Sequence, residues 1–105
     1  IDIGPILLDR GQFSVSGIVV DRKGKPVADA WLYCTGEKQI GINSHTDAKG
    51  RFKAYGIFEG PVIINAYKKE ESSGLLWSAQ KHTYSGATNV KIALRHKTYQ
   101  KYYYF

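Results

Sequence analysis

The chain has 105 residues, a length at which a single domain with one hydrophobic core is expected. Its formal net charge is +6, but the basic residues are scattered, which indicates a solvated surface and gives no reason to expect a nucleic-acid partner. The single cysteine excludes an internal disulfide, and no apolar run is long enough for a transmembrane helix.

The amino terminus gives little information about localisation. The first residue is Ile, and the sequence contains no secretory signal peptide. We therefore expect a segment of a longer protein or a mature form after processing. If the parent protein is exported, we expect its targeting segment to lie outside this sequence. Residues 1–12 mix apolar and turn-forming side chains, and we interpret them as a linker or an edge strand ahead of the main domain.

Alternating apolar residues predict a first strand over residues 13–20. Gly17 lies inside this strand, as glycine does at a bulge or where another backbone approaches closely. The strand runs into the turn Asp21-Arg-Lys-Gly24. In such a turn the aspartate accepts hydrogen bonds from backbone N–H groups and the glycine takes a positive φ.

Short apolar alternations separated by turns predict six further strands, over residues 28–35, 40–46, 52–55, 62–67, 75–84 and 89–94. Two of them are joined by Asp47-Ala-Lys-Gly50, which repeats the earlier Asp-x-Lys-Gly pattern. Phe52 then follows as the first large apolar residue of the next strand. No stretch has helical periodicity, so the pattern predicts an all-β sandwich of antiparallel strands.

The carboxyl-terminal segment, residues 95–105, mixes basic and aromatic side chains without strict alternation. It could add an edge strand, pack over the sandwich as a tail, or contact a neighbouring domain. The sequence pattern does not decide between these three arrangements.

Four blocks of residues follow one another in a specific order. They are Gly-Ile-Val-Val-Asp at 17–21 with its following Gly-Lys-Pro-Val at 24–27, Thr-Asp-Ala-Lys-Gly-Arg-Phe at 46–52, Gly-Ile-Phe-Glu-Gly at 56–60 and Val-Ile-Ile-Asn-Ala at 62–66. Over residues 13–94 this order resembles the carboxypeptidase regulatory-like domain, a seven-stranded Greek-key sandwich of the transthyretin (prealbumin-like) type.

The resemblance implies a non-catalytic accessory domain without a cofactor. Such domains are commonly fused to peptidases, to outer-membrane receptors and to exported bacterial proteins. We therefore expect an extracellular, periplasmic or cell-surface location, and a role as spacer, folding support or protein-interaction domain. The expected partners are other domains of the parent protein, a glycan or protein ligand, or a second copy paired through an edge strand.

Histidines and one cysteine are the candidate reactive groups. His45 and Asp47 lie two residues apart, as metal ligands on one strand do, but nothing else with ligand spacing is near and Asp47 already has a turn role. We therefore expect no metal site. Cys34 lies in an apolar run and is interpreted as an inert, buried thiol. An enzyme would require a pocket that gathers two or more of the residues His45, His82, His96 and Arg95.

Six tryptophan and tyrosine residues lie on predicted strands: Trp31, Tyr33, Tyr55, Tyr67, Trp77 and Tyr84. We expect most of them to fill the core. Any that are exposed could instead form a platform for sugar rings, which makes a carbohydrate-binding module the alternative function. Trp77 follows a charged loop and is the first candidate for exposure, with Trp31 and Tyr84 as further binding candidates.

Overall fold

Alternation between apolar and polar residues produces two β-sheets that share one core. A computed structural model describes residues 13–70 and 73–99. Within them the strands are β1 (Phe13–Val20), β2 (Trp31–Thr35), β3 (Ile42–His45), β4 (Arg51–Ile57), β5 (Pro61–Glu70), β6 (Leu75–Tyr84), β7 (Val90–Ala93) and β8 (His96–Tyr99). The all-β prediction is confirmed. No helix in the described part of the chain is long and apolar enough to cross a membrane.

The strands form a three-stranded sheet in the order β4-β1-β7 and a five-stranded sheet in the order β3-β2-β5-β6-β8. Both sheets contribute buried side chains to a single core cluster, which is almost entirely aliphatic. Full burial of a side chain such as Leu32 or Ile64 contributes about 1.5–3 kcal/mol to stability. The aromatic exception is Phe52, which is buried as the sequence predicted.

Strand positions agree well with the prediction, and the differences have local causes. β1 and β6 have the predicted bounds. β3 begins later than expected because Gly41 adopts a φ of 89°, which breaks the extended conformation ahead of Ile42. The structure also contains an eighth strand that the seven-strand prediction lacks. This strand is formed by residues 96–99, which pair with β6 as an additional edge strand, while residues 1–12 and 100–105 lie outside the described residues.

One strand pair contradicts the prediction of antiparallel pairing throughout. β1 and β7 run parallel, with Gly17 opposite Val90. The sequence prediction was wrong here because hairpin turns specify the direction only of strands joined by them, whereas β1 and β7 are far apart in the chain. A Cβ atom at Gly17 would collide with the Val90 carbonyl group, so this glycine marks a close backbone approach.

Thr46 lies at the corner where the chain leaves the five-stranded sheet for the three-stranded sheet. Its side chain is buried. The Ala30 N–H donates to Thr46 Oγ1 over 2.8 Å, and Thr46 Oγ1 donates to the Val27 carbonyl oxygen over 2.7 Å. The Thr46 N–H also donates to the Ala30 carbonyl oxygen over 3.0 Å. Thr46 therefore ties the segment before β2 to the end of β3.

The turn that follows Thr46 has the predicted hydrogen bonding. Asp47 Oδ1 accepts hydrogen bonds from the backbone N–H groups of Arg51 and Lys49, and Asp21 Oδ1 makes the same pair of bonds in the first turn. These bonds, led by the one from Arg51, lower the pKa of Asp47. Because they stabilise the ionised form, their contribution to folding is present above the ordinary carboxyl pKa and is lost as the pH falls through the lowered value.

The two turn glycines differ in their surroundings. Gly50 has a φ of 77°, and a Cβ atom there would lie 2.8 Å from Pro26 Cβ and 2.9 Å from the Val27 nitrogen. Gly24 has a φ of 84°, with nothing within 4 Å of its Cβ position. Positive φ is required at both, but Gly50 also permits close packing between the two turns.

We expect Gly50→Ala to reduce the free energy of unfolding by clearly more than the roughly 1 kcal/mol that a positive φ costs an alanine. Gly24→Ala is the matched control and should cost only that backbone penalty. Urea unfolding of both variants measures the difference. Equal losses would contradict the steric role assigned to Gly50.

We expect Thr46→Val to lower the free energy of unfolding by about 1–3 kcal/mol, because it leaves the buried Ala30 N–H and Val27 carbonyl without their partner. Thr46→Ser keeps the hydroxyl group and should lose less. Urea unfolding provides this measurement as well, and a valine variant as stable as the serine variant would be inconsistent with the hydroxyl's role.

Candidate functional site

The outer face of the five-stranded sheet carries a group of exposed aromatic rings. On β2, Leu32 and Cys34 turn into the core, so Trp31 and Tyr33 turn outward. On β5 the same alternation exposes Tyr67. The exposed fractions are 64% for Trp31, 42% for Tyr33 and 38% for Tyr67. We call these three residues the aromatic face.

Strand register brings the three rings into one patch. Trp31 lies opposite Tyr67 on β5 and opposite His45 on β3. Adjacent strands are about 4.8 Å apart, and residues two apart on one strand are about 6.8 Å apart, so Tyr33 lies next to this row. The Trp31 and His45 rings meet edge to face with centroids 5.3 Å apart, a contact that helps to orient the indole ring.

Gly41 makes room for the second ring of the aromatic face. A Cβ atom at Gly41 would collide with the hydroxyl group of Tyr33, and the positive φ of Gly41 also favours glycine. The glycine that shortens β3 therefore allows Tyr33 to lie against the turn before that strand.

Neutral polar side chains border the aromatic face on the side of Tyr33. Tyr33 lies opposite Asn43 on β3 and Asn65 on β5, and Asn65 lies opposite Gln80 on β6. Gln80 Nε2 donates to Asn65 Oδ1 over 3.1 Å, and His82 Nε2 is 3.4 Å from Gln80 Oε1. The patch thus combines apolar ring surfaces with amide and imidazole groups that can exchange hydrogen bonds with a ligand's hydroxyl groups.

The three predicted binding residues do not form a single site. Tyr84 is exposed on the outer face of β6, but it lies opposite Pro61, six residues along β5 from Tyr67. At strand spacing this is about 20 Å along the strand from Tyr67 and about 14 Å from the row that contains Tyr33. Trp31 and Tyr84 therefore share a sheet face without sharing a patch, and Trp77 lies on the opposite side of the sheet.

The choice of Trp77 as the first candidate for exposure is wrong. Trp77 is half-buried and packs against the core cluster, because its position on β6 directs it to the inner face. Lys97 on the neighbouring strand places its Nζ atom 5.5 Å from the centre of the indole ring. The charged loop before β6 indicated exposure, but the alternation along the strand determines the side-chain direction.

The expectation that most strand aromatics fill the core is also wrong. Five of the six are exposed large hydrophobic residues: Trp31, Tyr33, Tyr55, Tyr67 and Tyr84. Each occupies an outward position on its strand, while aliphatic neighbours take the inward positions. The core is accordingly filled by Val, Ile, Leu and Ala side chains.

The candidate reactive groups are dispersed. His45 on β3 and His96 on β8 lie on opposite edges of the five-stranded sheet, about 19 Å apart at strand spacing. No group of three or more possible metal ligands occurs in the part of the chain that the structure describes. Cys34 is buried, and burial raises its pKa to about 11, so its thiol is protonated at neutral pH.

One pair of the residues considered for catalysis does line a common groove. Arg95 and His96, neighbours in sequence, border a groove of about 600 Å³ together with Lys81 and Lys91. Asp21 also lines it, but its carboxylate accepts two backbone hydrogen bonds within its own turn. The groove is therefore basic and gathers two of the four residues that an enzyme would require, while the Asp21 carboxylate is held by its own turn.

Comparison with known proteins supports the fold but not a family. No family model and no curated protein matches the chain. Solved structures with a similar fold include the Bacillus anthracis TIE protein, with a TM-score of 0.53 and 14% identity over 80% of this chain. The chain spans only 17% of the length of that protein.

A second similar structure is a Pseudomonas aeruginosa protein with a suggested role in carbohydrate binding. Its TM-score is 0.51 at 14% identity, and the match covers 84% of this chain and 90% of that protein. At this level of identity the similarity shows the fold alone.

The contrasting exposure of the two tryptophans gives a direct test of the site geometry. Trp77→Phe leaves Trp31 as the single tryptophan, and Trp31→Phe leaves Trp77. We expect acrylamide to quench the fluorescence of Trp31 several-fold more strongly than that of Trp77, since only Trp31 stands on the open face. Equal quenching would contradict the orientation of both side chains.

Proposed function

We propose that this chain is a non-catalytic binding module whose aromatic face binds a neutral carbohydrate chain. The observation that carries the proposal is the cluster of Trp31, Tyr33 and Tyr67 on one open sheet face. A contiguous patch of large rings exposed to water is uncommon on a folded protein, and such patches mark interaction sites. Aromatic rings in such a patch can stack on the apolar faces of sugar rings.

The polar border of the face supports a neutral ligand. Asn43, Asn65 and Gln80 supply both donors and acceptors without net charge. Sugar hydroxyl groups require that mixture, whereas a charged ligand would require a balancing ion. The three rings are exposed on an open sheet face, which suits an extended chain whose successive rings contact successive side chains.

The finer fold assignment is also a proposal. The two sheets on one core suit a β-sandwich, and the position of strands β1 to β7 suits the prealbumin-like Greek key that the sequence resembles. The resemblance to the carboxypeptidase regulatory-like domain rests on residues 13–94. The Pseudomonas aeruginosa protein, with a fold similar to this one, adds support for binding as the activity of such a module.

An accessory role in a larger exported protein is the second candidate function. It is favoured by the Bacillus anthracis TIE protein, in which a similar fold accounts for a small part of the chain. In this role the module would act as a spacer, folding support or protein-interaction domain at an extracellular, periplasmic or cell-surface location. The edge strands β3 and β8 could pair with a second copy or with a neighbouring domain.

Binding to a broad glycan array, followed by affinity gel electrophoresis with the best neutral polysaccharide, tests the proposal. We expect Trp31→Ala to weaken binding roughly tenfold or more, as loss of a central aromatic contact does. Tyr55→Ala is the matched control: Tyr55 is 65% exposed but lies on the outer face of the other sheet. It should leave binding unchanged.

Two results would reject carbohydrate binding by this face. One is the absence of binding by the folded protein to any glycan on the array, which would leave the accessory role as the better account. The other is an equal loss in the Trp31 and Tyr55 variants, which would indicate non-specific adhesion through exposed rings.

A further inference from the structure

A second groove, separate from the aromatic face, opens beside the inner side of β6. It has a volume of about 830 Å³, within the usual range for ligand sites. Its floor includes Trp77, Val27 and Leu94. Because Trp77 faces inward and the aromatic face looks outward, the two surfaces lie on opposite sides of the five-stranded sheet.

Lysines flank the indole ring of Trp77 on both neighbouring strands. Trp77 lies opposite Lys68 on β5 and opposite Lys97 on β8. Lys97 Nζ is 5.5 Å from the centre of the ring. A half-buried aromatic surface therefore lies between two lysine residues on the same side of the sheet, and one of them, Lys97, places its ammonium group near the ring.

The first turn forms the opposite wall and adds more positive charge. Arg22, Lys23 and Lys25 all line the groove. Asp21 lines it too, but its Oδ1 atom accepts the N–H groups of Lys23 and Lys25 over 2.8 Å and 2.9 Å. This carboxylate is engaged by the turn, while the basic side chains extend from it around the groove.

We propose that this groove binds an acidic sugar of an anionic polysaccharide, with its ring against Trp77 and its carboxylate between the surrounding lysines. The proposal goes beyond neutral carbohydrate binding and does not depend on it, because the two surfaces share no residue. An acidic sugar matches both properties of the groove. One is a ring-sized apolar surface, and the other is a surplus of cations, since five basic residues line the groove against the two carboxylates Asp21 and Glu70.

Single-stranded nucleic acid is a less suitable occupant. Proteins that bind it usually stack successive bases on several aromatic side chains along a basic channel. Among the residues that the structure describes, the lining of this groove contains one aromatic side chain, Trp77. A single platform with lysines on both sides instead fits one charged ring unit.

Isothermal titration with a tetramer of galacturonic acid tests the proposal, with a neutral galactose tetramer and a short oligothymidylate as comparison ligands. We expect the acidic tetramer to bind and its affinity to fall as salt is added. Lys97→Gln and Lys68→Gln should each weaken binding roughly tenfold, as loss of a charged hydrogen-bond donor does.

Lys53→Gln is the matched control, since Lys53 also places its Nζ over an aromatic ring, 5.3 Å from the centre of Tyr55, but on the other sheet. It should leave the affinity unchanged. The proposal is overturned if the acidic tetramer does not bind, if Lys53→Gln weakens it as much as Lys97→Gln, or if the oligothymidylate binds more tightly through Lys68 and Lys97. Tight binding of the neutral tetramer that survives Lys97→Gln would overturn it as well.

Discussion

The buried hydroxyl group of Thr46 is the contact on which the arrangement of the five-stranded sheet depends. It accepts a hydrogen bond from Ala30 and donates one to Val27, and so holds the segment before β2 against the end of β3. That contact fixes the register in which Trp31 lies opposite His45. A slip of one residue would turn every side chain of β2 to the other face and bury the aromatic rings. Thr46 thus connects the stability of the corner with the exposure of the candidate site.

Much of the fold follows from local sequence signals. The Asp-x-Lys-Gly turns predicted their own hydrogen bonding, because an aspartate side chain and a glycine with positive φ are enough to form them. The parallel pairing of β1 with β7 was not predictable in this way. It depends on how distant parts of the chain meet, and only Gly17, with no room for a Cβ atom, gave a local sign of the close approach.

The candidate site was less well predicted, although the necessary signal was present in the sequence. On β2, Leu32 and Cys34 alternate with Trp31 and Tyr33. The smaller pair, Leu32 and Cys34, fits a core that already contains Val and Ile side chains from the other sheet. Ring size alone suggested burial for most of these aromatics. The alternation of side chains along each strand places the other rings on outer faces and places Trp77 on the inner face, although the charged loop before Trp77 had suggested exposure. Tyr67 and its polar neighbours join Trp31 only through cross-strand register, which the sequence does not specify.

Binding of a neutral carbohydrate by the aromatic face is the central claim, and the two tryptophans allow it to be tested in solution. The most direct measurement is fluorescence titration with the neutral oligosaccharide that binds best on the array, in the two single-tryptophan variants. A saturable change in Trp31 emission, with Trp77 emission unchanged, is the predicted result. Saturable binding that alters the emission of Trp77 and leaves that of Trp31 unchanged would contradict the account.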